Sequence, residues 1–523
     1  MHRIRRGPWV VGIVALCSVL LCWWMAETTA VHGDLVYFEA FYRDFFVLHH
    51  PISLFHFTEA TFIFPDFLAM TVIRSAVRNG LWAILVYELL FVLSLALILG
   101  KLFRRVWGTS ASSSWTFALG FAVVLFLVAT TPNYVYMALP PENHGAIQLL
   151  FLLWLYQLGD LSSGDGSRLV GWLCFDLVTS AGFAFSDLLA LPSAVIPGVI
   201  VLGWLSLEGA LSFRRTFIPV LSVSALGVAG GMLAKAMLIR LGILNAASAH
   251  LLGGGWGHRL WSAVMLLPSL AELVARNWIL YLAVALGLLA YLWRMRTPRG
   301  LRVDEQPEAK RWLGLFLRFS VVVLVVKMGA LVATGRWADM YSMRYLQEVF
   351  YIPLVWLALW AIPELSPSAS VSRLSLASVL ALSLGILVTL PHRFTLLRPQ
   401  ALTRCLDAHV DELPTPWGFA DFWVARLVTF TSRERIQVNQ VKLNTSTYNW
   451  ESSPLWYRED LYGRRIDRTT FFIPSRPEER EAALAHWGRP TGSFECPSRW
   501  GDLDVMLYPN GIDAAPEDRS RPN

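Results

Sequence analysis

The sequence predicts an all-α polytopic membrane protein of about eleven transmembrane helices, with interfacial helices in the first outer loop and a small α+β extracytoplasmic C-terminal domain. Three observations predict it. Apolar residues make up 55% of the 523-residue chain and charged residues only 16%, with a mean hydropathy of +0.49, far outside soluble globular usage. Apolar runs long enough to cross roughly 30 Å of hydrocarbon begin near Trp9, Gly80, Trp115, Ala146, Leu169, Leu188, Phe217, Asn277, Leu313, Leu346 and Leu374. Beyond about residue 390, short aromatic or β-branched runs such as "DFWVARLVTFT", "RIQVNQVKL" and "TTFFIP" alternate with Pro, Gly, Asn and Ser turns, and "RPEEREAALAHWG" is one short helix. The expected division is a transmembrane domain over 1–390 and an extracytoplasmic domain over 391–523.

Each element then has its own justification. The first apolar segment, "WVVGIVALCSVLLCWWMA", is longer than the roughly 7 to 15 residues of a signal-peptide core and is read as a retained span. "RIRR", "KLFRR", "SFRR", "RMRTPRGLR" and "AKR" fall on one side if eleven spans alternate, and basic loops mark the cytoplasmic face. The N-terminus is thus cytoplasmic and the C-terminal domain periplasmic or extracellular. The basic balance and tight loops suit a bacterial chain, which puts it in the inner (cytoplasmic) membrane. The net charge of +6 is this asymmetry, and no nucleic-acid partner follows from it. Cys17, Cys22 and Cys174 lie in spans as small packing residues. Cys405 and Cys496 share the outer tail, where an oxidising compartment permits a disulfide if the fold brings them together.

The first outer loop carries Asp34, Glu39, Asp44, Glu59 and Asp66 against a single Arg43 over residues 31–67. "LVYFEAFYRDFFVLHH" and "PDFLAMTVIRSAVRNG" have apolar residues at helical spacing and are expected to lie along the membrane surface. "GHRLWSAVMLLPSLAELVARN" is a third such helix. Asp34, eight residues after the first span, gains basicity if desolvated and then suits a general base for a hydroxyl nucleophile; alternatively it caps the helix that follows. Glu39 and Arg43 form an i,i+4 surface pair. His49, His50 and His56 lack a partner at H-E-x-x-H spacing and are expected near headgroups.

Further along, "TPNYVYMALPPENHGA" places Glu142 and His144 at the entrance of a span, where polar residues are candidates for function, although Glu142 also suits a helix N-terminus. Asp187, in "FSDLLALP", has the same two readings. Arg336 and Arg344, in "GRWADMYSMRYLQEVFYIPL", stand on the outside against the charge bias. Their planar forks suit phosphate oxygens, the alternative being contact with lipid headgroups.

"GDLVYFEAFYRDF" and "MRYLQEVFYIP" resemble, respectively, the acidic entry to the first interfacial helix and the Arg-Tyr entry to a late span in the GT-C superfamily of membrane glycosyltransferases. That class contains protein O-mannosyltransferases and the aminoarabinose transferases of lipid A. The architectural likeness covers residues 1 to about 390. The resemblance implies a polyprenyl-phosphate sugar donor, a lipid, glycan or protein acceptor, and transfer with inversion. It puts Asp34 in the role of base, with Glu142 and His144 as further catalytic candidates, and Arg336, Arg344 and Tyr345 on the donor phosphate. Leu35 stands where many members carry a second carboxylate, so Glu39, Asp66 or Glu142 would supply that partner. Some branches use a divalent metal such as magnesium or manganese and others use none, and no cofactor is certain. The rival is a transporter or flippase for a lipid-linked or polar substrate. It would draw on Asp176 and Lys235 inside the membrane and on "GVAGG" as a helix break.

Overall fold

The computed structural model describes residues 13, 16–19, 36–58, 60–108, 111–129, 131, 144–163, 168–246, 256–296, 306–335, 345–365, 401–498 and 501–514. The spans expected near Trp9 and Leu374 lie largely or wholly outside these residues.

The first loop folds as α1 (Tyr37–Tyr42), continued by a π-helical turn over Arg43–Val47, and a second π-helical turn over Ile63–Phe67 running into α2 (Leu68–Ala76). Both helices are where apolar spacing puts them. The first is covered by the rest of the protein: Tyr37, Phe38, Glu39, Ala40 and Phe41 are all buried. Tyr37, Phe38 and Phe41 meet Phe67 at ring distances of 5.1–5.3 Å, and Phe41 also meets Phe55 at 5.5 Å. Edge-to-face aromatic packing of this kind rewards burial over exposure.

The membrane part follows as α3 (Gly80–Trp107), α4 (Ala111–Ala129), α5 (Ala146–Ser162), α6 (Leu169–Ser186), α7 (Ile196–Leu207), α8 (Ile218–Arg240), α9 (Trp256–Arg276), α10 (Trp278–Met295), α11 (Pro307–Thr334) and α12 (Glu348–Trp356). Asn79 opens α3 by accepting from Trp82 N at 3.1 Å, a side-chain cap on otherwise unpaired amides. Among the described residues, four helices are long and apolar enough to cross a membrane, or five if α9 and α10 form one broken span. Shorter apolar helices over Trp115–Val128, Ala146–Ser162, Leu191–Leu207 and Glu348–Ala361 stand at four more expected positions. Arg259–Arg276 and Trp278–Trp293 meet at 88°, so the first does not run straight on into the second. The "GVAGG" stretch is not a break. It lies within continuous α8, where a Cβ at Gly227 would stand 2.9 Å from Leu177 O and one at Gly231 would stand 2.2 Å from Ala181 O. These glycines let α8 close on α6, the packing that small residues permit in lipid.

The tail carries a five-stranded sheet in the order β4-β3-β5-β7-β6, from β3 (Trp417–Ala420), β4 (Gln437–Gln440), β5 (Thr469–Ile473), β6 (Gly492–Ser498) and β7 (Gly501–Ile512). β3 runs parallel to β4 and β5, while β7 is antiparallel to β5 and β6. Successive strand residues face opposite sides, so Phe471 enters one apolar cluster with Val424 and Val428, and Phe472 enters the other with Phe419 and Met506. "DFWVARLVTFT", strand-like in composition, is instead a helix over Phe422–Thr431, because Asp421 caps it by accepting from Val424 N at 2.8 Å. Cys405 and Cys496 are joined, tying the helix Ala401–Ala408 to β6.

The tail is seated on the first loop. Trp456 Nε1 donates to Asp44 Oδ1 at 2.9 Å and His56 N donates to Ser452 O at 2.9 Å. His50, expected near headgroups, instead bridges Asp44 at 2.9 Å and Glu459 at 3.4 Å. A short parallel pairing of His56–Phe57 (β1) with Asn245–Ala246 (β2) brings the loop after α8 to the same end of the bundle.

Two predictions follow from this packing. The Cys405–Cys496 bond closes a loop with a separation of 91 residues, so Cys496→Ser should cost the tail about 4.6 kcal/mol by the chain-entropy relation, read as earlier proteolysis of the tail on heating. Gly231→Leu should separate α8 from α6 and lower the thermal midpoint of the purified protein, whereas Gly230→Leu, which meets nothing within 4 Å, should leave it in place.

Candidate functional site

The expected site residues divide sharply. Asp34, Glu142, Arg336 and Arg344 lie outside the described residues. His144, Tyr345, Asp66 and Glu39 are described, and the first three fall in one neighbourhood. His144 packs its ring against Phe62 at 5.1 Å and against Tyr345 at 5.9 Å. Phe62 and His144 both hold positive φ, 54° and 61°, a conformation that costs side-chain-bearing residues on the order of 1–3 kcal/mol and is found preferentially at functional sites.

Around this contact stands a buried polar network drawn from α3, α5, α6, α11 and α12. His144, at the entrance of α5, places Nδ1 2.5 Å from Oδ2 of Asp187, at the exit of α6. The carboxylate can only accept, so the imidazole N–H donates. Asp187 Oδ1 also accepts from Leu189 N at 3.0 Å. Lys327 of α11 donates to Leu189 O at 2.9 Å and to Ser193 Oγ, and stands 3.6 Å from Glu348 Oε1 at the start of α12. Asp66 accepts from the Tyr87 hydroxyl of α3. Next to it, Gln148 Nε2 donates to Gln347 Oε1 at 3.3 Å. Asp187, Lys327, Glu348, Asp66 and His144 are all at most 6% exposed.

The two acidic groups at the membrane surface are driven apart. Burial acts to raise Asp187, but the facing His144 and Lys327 outweigh it and hold the carboxyl below its ordinary value. Asp66 is pushed up to about 8, first by burial and further by the charge on Asp187, against the hydrogen bond from Tyr87. The surroundings thus favour the charged form of Asp187 and the neutral form of Asp66.

A cavity of about 320 Å³ opens beside the network, lined by Ala60, Leu191, Met232 and Thr334 and reached by Asp187 and Lys327. Apolar walls with a few convergent polar groups are the usual form of a ligand site. Among the described residues, no group of three or more His, Cys, Asp or Glu side chains gathers to hold a metal ion.

Glu39 belongs elsewhere. It is 5% exposed, bonded to Arg43 at 3.0 Å and to Arg74 at 2.8 and 3.1 Å. The carboxylate of the i,i+4 pair is thus buried while the Arg43 side chain stays 26% exposed, and the second arginine, 35 residues on, comes from α2. Tyr37 is fully buried, its hydroxyl accepting from Thr58 N at 3.2 Å. Lys327 and Glu348 were missed by sequence reasoning. The signal was present for Lys327, a single lysine within "VVVLVVKMGALVAT", since ionisable residues inside spans are rare and point to function.

The helical membrane part, the first loop and the small sheet unit together make an ArnT-like fold. Two solved structures share it across almost the whole chain: ArnT from Cupriavidus metallidurans bound to undecaprenyl phosphate, with a TM-score of 0.51 and 13% identity over 98% of this chain and 100% of that one, and the same protein in the apo state, with a TM-score of 0.51 and 13% identity over 97% and 99%. At this identity the likeness concerns the fold. No protein-family profile matches the sequence, and comparison with curated proteins gives no match.

The position of Asp66 predicts a pH dependence. The folded protein keeps this proton between the ordinary carboxyl value of 3.8 and about 8, where the unfolded chain has released it, so stability falls as pH rises through that window. Asp66→Asn should flatten thermal stability against pH there; a profile as steep as that of the unsubstituted protein would exclude Asp66 as its source.

Proposed function

We propose that the protein is an integral-membrane glycosyltransferase that moves a sugar from a polyprenyl-phosphate donor to an extracytoplasmic acceptor, with inversion at the anomeric carbon. The observation that carries this is the cavity whose apolar wall ends on Asp187 and Lys327, in a fold shared with a protein solved with undecaprenyl phosphate. A lipid-linked sugar has the same division, an apolar tail leading to an anionic head.

In this mechanism the acceptor hydroxyl attacks the anomeric carbon, the bond from that carbon to the phosphate oxygen breaks, and the lipid phosphate leaves with the electron pair. Asp34 takes the hydroxyl proton. Glu142, Asp66 or Glu39 was expected to be its acidic partner; the two arginines on Glu39 favour Asp66 or Glu142. His144 is held by Asp187, which fixes its ring and tautomer. Arg336, Arg344 and Tyr345 receive the charge growing on the phosphate, and Lys327 adds a donor at the cavity wall. Preorganised donors of this kind act most strongly where water is excluded. The Tyr345–His144 ring contact supports a shared location for the phosphate-binding and acid–base groups.

The transport reading has less support. "GVAGG" serves helix packing, and Asp176 is bonded to Gln157 at 2.7 Å between neighbouring helices.

In membranes holding equal amounts of each full-length variant, Asp34→Asn should lower transfer of labelled sugar from lipid-linked donors by about 10²- to 10⁴-fold. Lys327→Met should chiefly raise the donor KM. Normal glycan transfer by Asp34→Asn would remove the proposed base, and movement of intact donor across the bilayer without transfer would favour the transporter.

A further inference from the structure

The tail and the first loop together build a basic surface that the transfer chemistry does not use. Tyr462, in the turn after Leu461, is 45% exposed, and three arginines from separate segments surround its ring. Arg435 stands 4.9 Å from the ring centroid, Arg43 5.4 Å and Arg464 5.6 Å. Cations gathered around one aromatic ring gain from its quadrupole but repel one another. Their counterions are too few. Glu39 is shared between Arg43 and Arg74, Asp460 serves Arg464, and Arg435 meets no carboxylate among the described residues. The adjacent Arg433 and Glu434 cancel.

Phe46 and Val47, in the π-helical turn that begins at Arg43, are 40% and 51% exposed. Apolar side chains beside an uncompensated basic cluster and an exposed tyrosine form the pattern of a headgroup-level anchor. We propose that Arg43, Arg435 and Arg464, arranged around Tyr462, bind the phosphate of an anionic lipid headgroup, with Phe46 and Val47 entering the adjoining acyl region. Guanidinium forks bind phosphate oxygens in pairs, and the exposed apolar pair selects a phosphate attached to lipid over one free in solution.

Full-length protein in nonionic detergent, incubated with equal amounts of phosphatidylglycerol and phosphatidylcholine, would be examined by native mass spectrometry. The unsubstituted chain should retain phosphatidylglycerol preferentially. R435Q/R464Q should cut that preference by about fivefold or more per arginine while phosphatidylcholine retention stays level. Tyr462→Ala, which disperses the cluster without changing charge, should weaken it by a smaller factor and gives a second measurement if the double variant fails to fold. Equal retention of the two lipids by the unsubstituted chain, or an unchanged preference in R435Q/R464Q, would overturn the proposal. Loss of bound phosphatidylglycerol on adding inorganic phosphate at matched ionic strength would equally overturn it, by assigning the surface to free phosphate.

Discussion

A lysine inside an apolar helix must find oxygen partners, and Lys327 finds them where four chain segments end. Its donors reach Leu189 O and Ser193 Oγ, Glu348 stands 3.6 Å away, and its charge bears on Asp187. Leaving any of these polar groups unpaired in such surroundings costs more than a lost hydrogen bond. The requirement therefore fixes the relative depth of α6, α11 and α12, and through Asp187 it fixes His144 at the entrance of α5. The site is a consequence of satisfying buried charge at one level of the bundle.

The same constraint organises the outer layer. Asp44 is buried beneath the tail and carries hydrogen bonds from His50 and Trp456, though burial still raises its carboxyl above the ordinary value. Arg426, 1% exposed, has its guanidinium 4.6 Å from the Trp456 ring, with Nε donating to Gln440 at 3.1 Å. Burial holds its pKa down at about 10, against the nearby charge of Glu451. Tail and first loop thus meet through charged groups that each need the other, and apolar packing by Leu427, Trp456 and Leu461 completes the seam.

Much of the fold was legible because lipid allows few solutions: long apolar runs must be helices, and amphipathic spacing in the first loop marks two more. The boundaries at Asn79, Gly80 and Ala146 follow from local chemistry and were readable. Burial depth was not. Glu39 looks like half of a surface pair until Arg74 arrives from α2, and the helix at Phe422–Thr431 looks like a strand until Asp421 is seen to cap it. At the candidate site, His144 was singled out by its position at a span entrance, and Tyr345 and Asp66 only through the family resemblance. Lys327 was passed over although a lone lysine in an apolar helix is a readable signal, and Glu348 was not legible, because its meaning comes from a contact between helices that periodicity along one helix cannot encode.

The bond from Trp456 to Asp44 spans 412 positions, and this distance has a bearing on biosynthesis. During translation the first loop is made before the membrane helices that follow it, and the indole that completes the burial of Asp44 emerges only after them. Until then that carboxylate can stay hydrated only if the loop stays open. A chain interrupted before the sheet unit would leave Asp44 without the Trp456 donor and this roof unsealed.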